Sequence, residues 1–224
     1  MALLARRRDR LEDAAREAGT GTVAIECDAT DTASGRAAIA KAAAELGGID
    51  ALVYAPAIGP LVRLADMDAE TWQRVFATNV TGAAMITAAA LPHLAASAGT
   101  AVYLSSVSAS LTPPWPGLGA YAVSKAALDK LVEAWQAEHP AIGFTRVIVG
   151  DCAGGEGDGM TQFANNWDFA LMAEVHPIWA ARQYMAGTLM DVNHLVTMVD
   201  AVLRGGASLA VPSITVAPRR AALS

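Results

Sequence analysis

Short aliphatic or β-branched runs alternate with alanine-rich stretches of helical spacing along almost the whole chain. The runs fall at 1–5, 22–27, 50–54, 99–105, 143–149 and 208–214, and the helical stretches at 8–18, 33–47, 68–96, 119–138 and 190–204. Strand followed by helix, repeated, builds a sheet of mostly parallel strands wrapped by helices on both faces. The expectation is therefore an α/β, doubly wound parallel sheet. With no internal repeat and no linker composition, residues 1–224 read as a single domain. One region breaks the rhythm. Residues 150–185 open on a glycine-rich acidic run and continue rich in Met, Phe and Trp, which predicts a lid or substrate loop before the last helix.

Composition narrows the function classes. Hydrophobic residues make up 54% of the chain and charged residues 17%, a core-rich balance that excludes disorder. The net charge of -6 argues against nucleic acid or an anionic membrane as partner, and the Arg6-Arg7-Arg8-Arg10 cluster is too local for a phosphate-backbone stripe. Apolar stretches break at Gly, Pro or charge before reaching membrane-spanning length, and no signal-peptide core precedes the first arginine. Cys27 and Cys152 are few and far apart, which suits a reducing cytoplasm. His93, His139, His176 and His194 lack ligand spacing, so no metal is expected.

The chemistry concentrates in Ala120-Tyr121-Ala122-Val123-Ser124-Lys125. Tyr121 and Lys125 are four apart at the start of a helical pattern and share a face. A phenol with its ordinary pKa of about 10 is a poor acid or base at neutral pH. A nearby ammonium favours the phenolate and is expected to lower that value. With four tyrosines and three lysines in the chain, a chance Tyr-x-x-x-Lys is expected only roughly 0.05 times. Upstream, a predicted strand ends in Leu104-Ser105-Ser106-Val107-Ser108, and ligand groups gather at the carboxyl ends of strands in such sheets. A hydroxyl there can hold a substrate carbonyl, or merely cap the next turn. Farther back, Thr78-Asn79-Val80-Thr81-Gly82 places weak helix formers inside a long helix, which marks a kink or a polar role.

In this order and on these elements, Asn79, Ser106, Tyr121 and Lys125 resemble the short-chain dehydrogenase/reductase family, from residue 1 to about 205. The resemblance implies a Rossmann-like fold and an NAD(P)-dependent oxidoreductase that interconverts a carbonyl and an alcohol. It makes Tyr121 the general acid/base and Ser106 the residue that polarises the substrate oxygen, with Ser105 and Ser108 as alternatives. Lys125 would depress the Tyr121 pKa and bind the nicotinamide ribose, and Asn79 would support a water relay to Lys125. Tyr121 and Lys125 thus count among the cofactor-binding residues too. Family members pair through the helices at 68–96 and 119–138, so a homodimer or homotetramer is expected. The apolar run Ala83-Ala84-Met85-Ile86-Thr87-Ala88-Ala89-Ala90-Leu91 agrees with that.

Against the family pattern, Met1-Ala2-Leu3-Leu4-Ala5-Arg6-Arg7 matches the second strand, so the first strand and its Gly-rich phosphate cradle are expected to be lacking. Strands at 2–5 and 50–54 would then face a gap. Either the reading frame begins upstream, or the chain is a non-catalytic remnant unable to hold the dinucleotide. Glu156 and Asp158 would repel phosphate, so residues 154–159 are no substitute cradle. Where NAD-specific relatives carry an acid, this chain has Arg6 and Arg7, which suit a 2′-phosphate and point to NADP in preference to NAD. Asp28 resembles the residue near the adenine, with a plain turn role as the alternative. Tyr54-Ala55-Pro56-Ala57 replaces Asn-Asn-Ala-Gly and places Ala55 on the cofactor side; Cys152-Ala153 and Ser213-Ile214-Thr215-Val216 also depart from the pattern. Pro113-Pro114-Trp115-Pro116 predicts a rigid wall of a pocket for a bulky hydrophobic carbonyl or alcohol, and the apolar residues Met160, Phe163, Trp167, Phe169, Met172, Trp179, Tyr184 and Met185 predict either an adaptable lining of it or packing against the sheet or a neighbouring subunit.

Overall fold

The computed structural model describes residues 1–153 and 162–220. In chain order the elements begin β1 (Ala2–Ala5), α1 (Arg8–Ala18), β2 (Val23–Glu26), α2 (Thr32–Leu46) and β3 (Ala51–Tyr54). Next come α3 (Ala69–Phe76), a π-helical turn at Ala77–Thr81, α4 (Gly82–Ser97), β4 (Thr100–Ser106), α5 (Val107–Ser110) and α6 (Gly119–Glu138). The chain continues as β5 (Gly143–Val149), α7 (Phe169–Ala181), α8 (Val192–Leu203) and β6 (Ser213–Val216). Every strand pairing is parallel, as the alternation of strand and helix predicts. This is an α/β Rossmann-like fold.

The ladder lies in two parts. β1 pairs with β2, and β3-β4-β5-β6 form a second sheet, with no ladder between β1 and β3 among the described residues. Both parts contribute to one core, since Ala2, Leu4, Ile25 and Tyr54 share a cluster with α2, α4 and α6. Alternation along β4 separates the layers. Ala101 and Tyr103 face that cluster, while Val102 and Leu104 face α8 and β6.

Three expectations are corrected. Phe169–Ala181 is a helix, although 150–185 reads as irregular; Asp168 caps it through Ala170 N–H and Leu171 N–H, and it holds its turn through Pro177. The last strand is Ser213–Val216 rather than 208–214, because Pro212 has no N–H and only its carbonyl joins the ladder, accepting from Arg146 N–H. Finally, Ala69–Ser97 forms one 29-residue helical run, long and apolar enough by length and composition to cross a membrane. Gly82 and Thr87 do not break it. One face of it packs on α2 and the sheet, where Ala83, Ile86, Ala90 and Leu94 are fully or nearly buried. Met160 and the acidic residues Glu156 and Asp158 lie outside the described residues.

Candidate active site

Parallel strands bring their carboxyl ends to one edge, and there the predicted residues of β3, β4 and α6 meet. Asn79 is reached through the π-helical turn, whose widened ladder frees the Thr78 carbonyl. The Tyr54 hydroxyl donates to that carbonyl at 2.6 Å, tying the end of β3 to the turn. Asn79 is fully buried. Its Oδ1 accepts from Ile58 N–H at 2.8 Å, and its Nδ2 donates to Ile58 O at 2.9 Å and to Ser124 Oγ at 2.8 Å. Both amide hydrogens are thereby used, so Asn79 acts here as a clamp between the β3–α3 connection and α6. Ser124, the neighbour of Lys125, passes the chain of bonds to the Tyr121 carbonyl at 2.7 Å. Neither Tyr54 nor Ser124 stands out in the sequence, because their roles depend on the π turn.

Ser105 and Ser106 point to opposite faces of β4, and the structure separates their surroundings. Ser106 is buried, caps α5 through Ser108 N–H, lies 3.0 Å from Ser108 Oγ and is close enough to hydrogen-bond the Tyr121 hydroxyl. Ser105 faces Asp129 on α6 instead. Lys125 is only 2% exposed. Its Nζ donates to Leu104 O at 2.6 Å and lies 5.8 Å from the centre of the Tyr121 ring. Burial pushes the lysine down to about 8, with the Asp129 carboxylate opposing.

The expected depression of Tyr121 by Lys125 is not what this geometry produces. Burial raises the Tyr121 pKa, and the Ser106 hydroxyl only partly offsets it. The physical reason is burial of the phenol, while the Lys125 ammonium gives a hydrogen bond to the Leu104 carbonyl and lies 5.8 Å from the centre of the ring. In this arrangement Tyr121 is a neutral phenol, a proton donor, at neutral pH.

An aromatic cover closes over Tyr121. Phe163 meets its ring edge-on at 4.8 Å, Trp167 follows at 5.5 Å, and Trp179 packs on Trp167 at 6.0 Å and on Trp115 at 5.2 Å. Trp179 Nε1 donates to Pro116 O at 3.0 Å, so the proline-rich segment is part of this wall. Met172, Tyr184 and Met185 pack on the same cluster, whereas Phe169 is 83% exposed and takes no part. Gly59 makes the cover possible. It is buried, its carbonyl accepts from Trp167 Nε1 at 2.8 Å, and a Cβ there would stand 2.2 Å from Phe163 Cζ and 3.0 Å from Tyr121 Cδ2. Gly59→Ala is expected to displace Phe163, lowering stability by about 1–3 kcal/mol and red-shifting tryptophan emission as Trp167 opens. An unchanged melting temperature and spectrum would show that the contact is slack.

The candidate cofactor residues lie at the ends of β1, β2 and β3. Arg6 and Arg7 are exposed, and Ala55 is exposed just beyond β3. Asp28 accepts from Thr30 N–H at 2.9 Å and from Thr30 Oγ1 at 2.7 Å, which holds its carboxyl below the usual range; Arg6 adds a smaller pull. The turn role of Asp28 is therefore visible, and Arg6 stands near it.

Known proteins are similar to this chain in sequence and fold. A family model for short chain dehydrogenase matches residues 1–167. A short chain dehydrogenase of Pseudocercospora fijiensis is 34% identical over 144 residues, covering 62% of this chain and 46% of that protein. The dehydrogenase/reductase SDR family member 4 of Bos taurus is 34% identical over 110 residues, covering 49% of this chain and 38% of its own length. The chain spans about half the length of the curated relatives it matches. Among solved structures, a short-chain type dehydrogenase/reductase from Mycobacterium marinum superposes with a TM-score of 0.79 at 26% identity, over 96% of this chain and 83% of that one. An alcohol dehydrogenase from Thermococcus sibiricus, complexed with 5-hydroxy-NADP, has the same fold with a TM-score of 0.78 at 20% identity, over 96% of this chain and 84% of that one. A family match over more than half of the chain, on a parallel α/β fold that these structures share, leads to one conclusion: the chain belongs to the short chain dehydrogenase family.

Proposed function

We propose that this chain carries the proton-transfer site of an NADP-dependent oxidoreductase that interconverts a carbonyl and an alcohol on a hydrophobic substrate. The observation that carries the reading is the convergence of Ser106, Tyr121 and Lys125 at the end of β4 beneath an aromatic cover. Tyr121, neutral and next to Ser106, gives its hydroxyl proton to the substrate oxygen in reduction and takes it back in oxidation. Ser106 donates a hydrogen bond to the same oxygen, and Asn79 keeps α6 in register through Ser124. When bound, the dinucleotide supplies or accepts the hydride. The donor set fits it at two places. Exposed Arg6 and Arg7 present guanidinium groups for a 2′-phosphate, with Asp28 and Ala55 along the same edge. Lys125 retains two N–H donors beyond its bond to Leu104 O for ribose hydroxyls. The reading includes a cytoplasmic homodimer or homotetramer joined through α4 and α6.

Titration with NADPH and with NADH, followed by fluorescence, tests the reading. Changing Arg6 and Arg7 together to alanine is expected to weaken NADPH by about tenfold or more, as loss of a charge-assisted phosphate contact implies, and NADH little. Equal losses for both would make the arginines a surface turn. Failure to bind either dinucleotide would assign the chain to the non-catalytic alternative.

A further inference from the structure

The polar face of α6 continues past Lys125. Four residues on, Asp129 is 5% exposed, and neither of its carboxylate oxygens has a hydrogen-bond partner among the described residues. The buried Ser105 hydroxyl faces it as a polar neighbour outside close hydrogen-bond geometry, and Arg146 Nε has no partner among the described residues. Arg146, from β5, places Nη1 3.9 Å from Asp129 Oδ2 but gives its close contact, 2.8 Å, to Glu133 Oε1. Asp129 is thus faced by Lys125 and Glu133 from its own helix, by Ser105 from β4 and by Arg146 from β5. A buried carboxylate with no hydrogen bond is costly unless charge compensates it. Its outer cation is already engaged by Glu133. The inner cation, Lys125, has an uncharged hydrogen-bond partner, the Leu104 carbonyl, and an aromatic ring above it.

We propose that Asp129 is a positioning residue, the buried counter-charge that keeps Lys125 an ammonium at the proton-transfer site, steadied by Ser105 and Arg146. This deepens the function proposed above and rests on it. The sign follows from the surroundings. Burial drives Lys125 down and Asp129 opposes that, so removing the carboxylate leaves burial unopposed and Lys125 loses its proton at lower pH. Burial also raises Asp129 itself, while Ser105, Arg146 and Lys125 pull it back and Glu133 pushes it up.

The chain has three lysines, and Lys41 and Lys130 are exposed, so a lysine-labelled sample resolves Lys125 in an NMR titration. Asp129→Asn keeps the shape and removes the charge. It is expected to move the Lys125 midpoint acidward by about one pH unit, and Asp129→Glu is expected to return it towards wild type. An unmoved midpoint in Asp129→Asn overturns the proposal. A second measurement needs no substitution: the Asp129 carboxyl carbon of the wild-type chain should report the ionised form at pH 7, and a protonated carboxyl there overturns it equally. The alkaline limb of kcat/KM for carbonyl reduction should follow the Lys125 midpoint. If the midpoint moves but no carbonyl is reduced by any form, the pairing stands and the oxidoreductase reading falls. Reduction with an unmoved midpoint does the reverse.

Discussion

Tyr121→Phe is expected to cut turnover on any accepted carbonyl by about 10²–10⁴-fold, the range lost with a general acid, while the fold stays intact. The substitution deletes one oxygen. The ring remains, and with it the 4.8 Å contact to Phe163 and the packing around Gly59. What disappears is the hydroxyl facing Ser106. Since burial raises the Tyr121 pKa, the wild-type phenol keeps its proton throughout the neutral range, and the site is set for donation. Reduction should therefore be flat in pH across neutrality as far as Tyr121 is concerned, with its loss beginning only as the phenol ionises in the alkaline range. Oxidation, which needs the phenolate, should rise in that same alkaline range. Rates with NADPH and a panel of carbonyls, read beside circular dichroism melts, check both parts. Turnover near that of the wild type in Tyr121→Phe would remove Tyr121 from the role.

The sequence reveals elements whose period is strong and residues whose partners are local. Tyr121 and Lys125 share a helix face by spacing alone, and five helices and most strands follow from alternation. It is less informative where the answer depends on what packs opposite. Ser105 and Ser106 are equivalent as letters; only the orientation of β4 sends one to Asp129 and the other to Tyr121. The direction of the Tyr121 shift was not legible either, because it depends on how deeply the packing around α6 buries the phenol. Helix α7 hides because its apolar residues are not confined to one stripe and Pro177 interrupts the pattern. Gly59, Phe163 and Trp167 form one contact from distant segments, so no local signal marks the glycine as a socket for an aromatic ring. The π turn was legible in outline, as weak helix formers at 78–82, but its consequence, the Thr78 carbonyl offered to Tyr54, was not.

Lys125→Met combined with Asp129→Leu is expected to give a chain without turnover that is at least as stable as the wild type. Both charges are nearly inaccessible and lie one helical turn apart, and exchanging opposite buried charges for apolar residues of similar volume is commonly neutral or stabilising by about 1–4 kcal/mol. The single changes should behave differently from the pair and from each other. Lys125→Met leaves Asp129 with Arg146 at 3.9 Å as its one cation, and Glu133 already competes for that. A loss of about 3 kcal/mol or more is expected there, as for other broken buried pairs. Asp129→Leu leaves a buried ammonium that can shed its proton, since burial already pushes Lys125 down to about 8 with Asp129 present. Its folded-state pKa lies below the unfolded value, so the unfolded chain binds more protons between the two, and stability must rise with pH through that window. Urea unfolding of the four forms at pH 7 and pH 9 reads all of this. The Asp129→Leu deficit should shrink at pH 9, and the Lys125→Met deficit should not. Additive losses in the double variant, with no recovery, would show that Lys125 and Asp129 do not act as a pair.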